Sequence, residues 1–384
     1  MPISSVRRAI FFSPVLFTGA AFALTTTEEP GVTHATVTIG RLSPQSSELF
    51  SAMARQRADG ADVCIAYVNA NGGIAGRRIV VKERDDGYSA DRALVEVESL
   101  IESDKIFALL GAFGTPTLPV VMNAAESRGV PLIGAANVSD DARHPPRRYV
   151  FPVRASSLDE ADAIVKHQTT VGVKRFVVLS CKEAFGPAGA SAYATALGQQ
   201  GLAAPEIRFS AASGDPRLIA KKLIEAQPEA ILLSVLPGAY AAVAREYIRL
   251  GGRAVMLSLS VMRIDDLRVE LGPFAAGVVL AQPLPSPFTA ATALSHEYRQ
   301  LMSLYKPTAR VSYYGLEGFL EAKIFVEGLK RAGERLTKER FVSALESMID
   351  HDFGGLVVRY GKGVRTGSTF VELVMLHSDG SIVR

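Results

Sequence analysis

From Thr36 onward, short apolar or β-branched runs alternate with amphipathic stretches of helical length, and this alternation limits the possible folds of the 384-residue chain more than any other feature. The runs are Thr36 to Gly40, Arg78 to Val81, Ile106 to Leu110, Val130 to Ile133, Tyr149 to Val153, Phe176 to Leu179, Ala230 to Val235, Ala254 to Leu257 and Gly277 to Leu280. Strands separated by helical crossovers pair in parallel, and a parallel sheet needs helices on both faces. The expected class is α/β. Local punctuation agrees. Asp215-Pro216 supplies an N-cap and a first-turn proline for a helix over 217–226, and Asn71-Gly72-Gly73 stops a helix that ends near Asn69. At about 150 residues per domain the length suggests two units, although no low-complexity linker or internal repeat separates them.

The beginning of the chain has a different pattern. Arg7 and Arg8 precede an apolar stretch from Ala9 to Leu16 that continues to Ala21-Phe22-Ala23, and the first acid is Glu28. A basic start, a short apolar centre and an A-x-A ending are the parts of a secretory signal peptide, here residues 1–23, with Leu24 as the first mature residue. An uncleaved anchor is the alternative, which the shortness of the stretch and Pro14 disfavour. No Cys near the cleavage point invites a lipid, and no later run approaches the roughly eighteen uninterrupted apolar residues of a membrane helix. The product is expected to be soluble and outside the cytoplasm.

Charge says little about partners: 42 Lys+Arg against 39 Asp+Glu leave +3, without the basic run that would suggest nucleic acid. The two cysteines, Cys64 and Cys181, could pair in an exported protein. Cys64, however, lies on the helical stripe Phe50, Met53, Ala54, Ala58, Ala61, Cys64, Ile65, Val68, so two separate buried thiols are the expectation. Catalytic signatures are missing. There is no G-x-S-x-G, Walker A loop, H-E-x-x-H, C-x-x-C or G-x-G-x-x-G after a strand, and the six His are scattered. Asp85-Asp86 and Asp265-Asp266 read as solvated loop acids rather than catalytic pairs.

The informative residues sit at strand ends. After Ile106 to Leu110 comes Gly111-Ala112-Phe113-Gly114-Thr115-Pro116-Thr117, followed by a helical run over 118–128. Open α/β sheets bind ligands beyond the carboxyl ends of their strands, where helix N-termini offer unpaired N–H groups. Gly114 permits close approach, Thr115 and Thr117 add hydroxyls, and an anionic group fits; an ordinary N-cap turn explains the same residues. The next strand ends in Gly134-Ala135-Ala136-Asn137-Val138-Ser139, a second small and polar loop beside the first.

In order and spacing, these segments resemble the periplasmic substrate-binding proteins of the branched-chain amino-acid (leucine/isoleucine/valine) ABC transporter type. The likeness rests on Thr38-Ile39-Gly40, Ala66 to Arg78 with Asn71-Gly72-Gly73-Ile74-Ala75-Gly76-Arg77, Asp85-Asp86, Gly111 to Thr117 and Gly129 to Gly134. It continues through Tyr149 to Ser156, Glu183-Ala184-Phe185-Gly186 and the run from Tyr313 to Gly333. It implies a two-lobed type I periplasmic-binding fold, each lobe a parallel-rich sheet flanked by helices, hinged by three crossovers. Lobe one would hold 35–152 plus 280–350, and lobe two 153–279 plus 351–384. It further implies a monomer with no cofactor and no nucleic acid, carrying a small carboxylate ligand to an inner-membrane ABC permease.

Carried over by position, Gly114, Thr115 and Thr117 would grip the ligand carboxylate, and Ala136, Asn137 and Ser139 would add hydrogen bonds. From lobe two, Phe185 and Tyr240 would cover the ligand. Where amino-acid binders often place an acid for the ligand ammonium, the alignment sets Ser260. A buried ammonium without a counter-charge is costly, so uncharged-body carboxylates, aromatic or branched aliphatic, are expected to bind better than zwitterions unless a loop acid such as Asp265 or Glu183 substitutes. The competing class is an exported α/β hydrolase with an unrecognised site.

Overall fold

The structure is a computed structural model that describes Met1, residues 29–262, Ile264, Leu267, residues 272–377 and residues 381–383. Residues 1–23, expected from the sequence to be a signal peptide, lie, after Met1, outside the described residues, as does Asp265.

The first lobe is built on β1 (Thr36–Ser43), β2 (Arg78–Asp85), β3 (Ala108–Leu110), β4 (Leu132–Ile133) and β5 (Val150–Phe151), all parallel in the order β2-β1-β3-β4-β5. The helices α1 (Ser51–Ala70), α2 (Ala90–Glu102) and α3 (Leu118–Arg128) connect the first four strands. Strands this short are stable because they are buried on both faces, which is why they read as continuous apolar runs.

The chain then crosses through residues 152–156 into the second lobe. There α4 (Ser157–Thr170), β6 (Phe176–Cys181), α5 (Phe185–Gln199), β7 (Glu206–Phe209), α6 (Pro216–Ala226), β8 (Ala230–Ser234), α7 (Pro237–Arg249), β9 (Val255–Ser258) and β10 (Val279–Gln282) follow in sequence. Asp215 caps α6 as its sequence requires, accepting the amides of Arg217 and Leu218 at 2.9 and 3.3 Å. A second crossing, 283–292, returns to lobe one for α8 (Ala293–Tyr305), α9 (Tyr313–Ala332), α10 (Lys338–Glu346) and the antiparallel ladder β11 (His351–Asp352), β12 (Val357–Gly361), β13 (Val364–Gly367). A third crossing delivers β14 (Glu372–Leu376) and β15 (Ile382–Val383) to the edge of a seven-stranded sheet, β15-β14-β10-β9-β8-β6-β7, antiparallel at that edge only.

The lobe boundaries differ from the sequence expectation at two places. β10 belongs to the second sheet, pairing with β9 and β14, so the return to lobe one comes after Gln282 rather than before Leu280. Residues 351–367 stay with lobe one. Alternation in β12 turns Val358 and Tyr360 inward, Tyr360 meets Phe151 edge-on at 5.3 Å, and its hydroxyl donates to the Pro152 carbonyl at 2.8 Å. Cys64 and Cys181 are free and buried in the cores of different lobes, as two separate thiols should be.

One packing detail positions the site. Helices α1 and α9 cross in lobe one so closely that a Cβ at Gly60 would lie 1.7 Å from the Gly315 carbonyl oxygen, and one at Gly318 would lie 2.0 Å from the Arg57 carbonyl oxygen. Only glycine permits that approach. The crossing brings Arg57 of α1 against Glu317 and Glu321 of α9.

Candidate functional site

The cleft between the lobes encloses about 470 Å³ including its mouth. Its lobe-one wall combines the strand-end loops (Phe113, Gly114, Thr115, Ala136, Asn137) with an aromatic patch of Phe50, Tyr88 and Tyr314. Phe185, at the N-terminus of α5, and Val261 face it from lobe two. Arg57, Arg154 and Glu317 supply the charge.

The two loops are locked together. Phe113 and Ala136 form a parallel bridge, the Gly114 amide donates to the Ala136 carbonyl at 3.1 Å, and the Ala136 amide donates to that of Ala112 at 3.0 Å. Gly114 takes φ +126°, a conformation that side chains avoid, and a Cβ there would sit 2.5 Å from Thr117 Oγ1. The two threonines divide. Thr117 is buried behind the loop and donates its hydroxyl to the Phe113 carbonyl at 3.0 Å, so it braces the turn instead of facing the cleft. Thr115 lines the cleft beside Tyr88, whose phenol is held above its usual pKa by burial against the opposing pull of Thr115. Asn137 also lines the cleft, with Nδ2 donating to Ser139 Oγ and Asp141 Oδ1, both at 2.7 Å. Ser139 in turn donates to Asp141 at 2.9 Å and shapes the loop from outside the lining.

Tyr240 is not a cleft residue. Helix α7 starts at Pro237, directly after the two-residue loop Val235-Leu236, so Tyr240 falls inside the helix, 1% exposed in the lobe-two core with its hydroxyl on Met256 Sδ. Leu236 is the residue that reaches across, packing on the cluster of Phe50, Met53, Ala54 and Phe113.

Ser260 is likewise a mediator and not a wall of this cleft. Its hydroxyl donates to Glu160 at 2.8 Å and accepts from Arg154 at 2.7 Å, and its amide donates to Glu160 at 2.7 Å. It lines a second cavity that shares Arg154, Tyr314 and Glu317 with the first.

The sequence reading missed the charged network. Arg57 pairs with Glu321 and lies 3.4 Å from Glu317; Arg154 pairs with Glu160 at 2.8 Å and lies 3.7 Å from Glu317. All three acids are at most 3% exposed. Burial opposes both guanidinium charges, but the surrounding carboxylates outweigh it and hold Arg57 and Arg154 more firmly protonated than usual. Burial pushes the Glu321 carboxyl up to about 7 despite Arg57, because Glu317 claims the same guanidinium. Burial also raises Glu160 against the pull of Arg154 and Ser260. Arg57 further lies 5.0 Å from the Phe113 ring centroid and donates to the Gly134 carbonyl at 3.3 Å, so it supports both loops from beneath. A signal for it existed: Arg57 occupies the apolar stripe of α1, four residues after Met53 and four before Ala61.

A sequence profile of the family described as periplasmic binding protein matches residues 36–375. The chain belongs to this family. The substrate-binding periplasmic protein (Pbp) from Ralstonia solanacearum superposes with a TM-score of 0.81 at 27% identity, covering 90% of this chain and 99% of that one. An extracellular ligand-binding receptor from Verminephrobacter eiseniae superposes at 0.83 with 21% identity over 91% and 100% of the two chains, a likeness of fold. Among curated proteins, a Leu/Ile/Val-binding protein homolog 7 from Brucella abortus is 26% identical over 132 residues, 34% of this chain. That match spans about a third of the relative's length, 33%. The family resemblance and the two-lobed α/β architecture read from the sequence both hold.

Proposed function

We propose that this periplasmic binding protein captures a small organic monoanion with an uncharged apolar body and presents it to an inner-membrane ABC permease. One observation carries the ligand class. Among the described residues, Glu317 is the acid that lines the cleft, and it is already flanked by Arg57 and Arg154 at 3.4 and 3.7 Å. A ligand ammonium entering here would lose water without finding a carboxylate that is not shared by two guanidinium groups. The carboxylate end has Gly114, Thr115 and Asn137 for partners, and the body meets Phe50, Met53, Phe113, Phe185 and Val261.

Matched pairs that differ only by the α-amino group test this: 4-methylpentanoate against leucine, and 3-phenylpropanoate against phenylalanine, titrated calorimetrically. The carboxylic acid should bind more tightly in each pair and be recovered unchanged. Tighter binding of the amino acids would show that Glu317 is released from its arginines to pair the ammonium. Consumption of the ligand would favour an exported hydrolase.

A further inference from the structure

Tyr88, on the cleft wall, is the one aromatic among the described non-glycine residues with positive φ, at +64°. Bulky L residues avoid this region because Cβ crowds the backbone, and such outliers persist only where neighbouring contacts impose them. Here the neighbours do so. Asp85 accepts the Gly87 amide at 2.9 Å and is itself held by the Ser46 amide at 3.2 Å and Arg92 at 2.8 Å. Asp86, 1% exposed, accepts the Tyr88 amide at 2.8 Å, and its carbonyl accepts Ser89 at 2.9 Å. The acid pair that reads as solvated in the sequence is thus a clamp on a left-handed turn over Gly87 and Tyr88.

The clamp delivers the phenol ring to a specific place. It stacks on Phe50 with centroids 4.2 Å apart and planes at 28°, and its Cε2 lies 2.9 Å from where a Cβ on Gly114 would be. The ring is therefore pressed against the loop assigned to the ligand carboxylate.

We propose that the Phe50–Tyr88 stack is the specificity element of the cleft and selects carboxylates whose charge sits on a planar aromatic ring. This rests on the anion-binding reading of the cleft and narrows it.

Benzoate and cyclohexanecarboxylate share ring size and charge and differ in flatness and π-character. Titrated into the wild-type protein, benzoate should bind roughly threefold to tenfold more tightly, the range for an aromatic pair. Tyr88→Leu and Tyr88→Gly should each cost benzoate more affinity than cyclohexanecarboxylate and so bring the two ligands level, and comparing the two variants separates the ring from the backbone, because glycine accepts the left-handed turn and leucine does not. An unchanged benzoate preference in both variants, or a wild-type preference for cyclohexanecarboxylate, overturns the stacking role and leaves the monoanion reading standing. Failure of wild type to bind either carboxylate overturns the monoanion reading itself, and the stacking role with it.

Discussion

Arg57→Met tests whether the buried charges under the two strand-end loops form one balanced unit. Arg57 is 6% exposed, Glu317 3% and Glu321 2%, and the Arg57 guanidinium also holds the Gly134 carbonyl. Removing it leaves Glu321 buried with no cation of its own and Glu317 with Arg154 alone, 3.7 Å away. Breaking one partner out of a buried pair costs about 3–5 kcal/mol, which at about 2–4 °C per kcal/mol for a lobe-sized unit is a Tm drop of roughly 6–20 °C. The double variant Arg57→Met, Glu321→Met removes both charges and should recover most of that loss, since apolar replacement of a whole buried pair is close to neutral. pH adds a signed check. Glu321 has a folded pKa raised to about 7 from 4.5, so its contribution favours the folded state fully below pH 4.5 and is lost as pH rises through 7. In Arg57→Met the carboxyl loses its lowering partner, its pKa rises further, and the variant should regain stability on acidification to pH 5 more than wild type does. Thermal melts at pH 5 and 8 measure all four quantities. A loss below about 1 kcal/mol for the single variant, or a double variant as damaged as the single, would refute the network argument.

The two threonines of the loop 111–117 should separate experimentally: on the proposed reading Thr115→Val should weaken carboxylate binding by roughly tenfold or more with little change in Tm, while Thr117→Val should cost about 1 kcal/mol of stability through the lost Phe113 bond. Equal effects of both on affinity would mean that the loop acts as a whole. The export reading predicts Leu24 as the mature N-terminus by intact mass of periplasmic extract, and a membrane-bound product retaining Met1 would contradict it.

How much of this the sequence discloses depends on whether a residue's role is local. The α/β class is legible because each central strand is apolar through both faces, and Gly114, Thr115, Asn137 and Phe185 are legible because a strand end followed by a helix start is a local pattern. Arg57, Glu317 and Glu321 are not. They meet through an α1–α9 crossing that joins positions 264 residues apart, set by the close approach of Gly60 to Gly315. Tyr240 reads as a loop residue but is helical for a local reason: the loop after β8 is only two residues long, and the helix begins sooner than the strand's end suggests. β7 was overlooked because an edge strand with Glu206 and Arg208 exposed carries little apolar signal. At 357–361 the alternation is visible, but nothing local says which lobe receives the inward side chains.

Ser260 shows how a departure from the family pattern acquires a different use. The alignment sets it where amino-acid binders often carry an acid, and in this chain its hydroxyl and amide tie down Glu160, which in turn engages Arg154 of the first crossing. From the other lobe, the Tyr314 hydroxyl of α9 donates to the Ser260 carbonyl at 2.9 Å, and Glu317 faces Arg154. A position that would contact ligand thus forms part of a tie between the lobes. Closure then starts with a contribution of its own, and the ligand needs to supply only the difference between its affinities for the open and closed forms. Tyr314→Phe removes one such bond while keeping the ring on the cleft wall. It should lower affinity about twofold to tenfold, the equivalent of about 0.5–1.5 kcal/mol, and do so equally for benzoate and cyclohexanecarboxylate. The tie also predicts a measurable change without ligand: small-angle scattering should show a larger radius of gyration for the variant than for wild type. An unchanged radius together with unchanged affinity would mean that the Tyr314 bond follows closure without contributing to it.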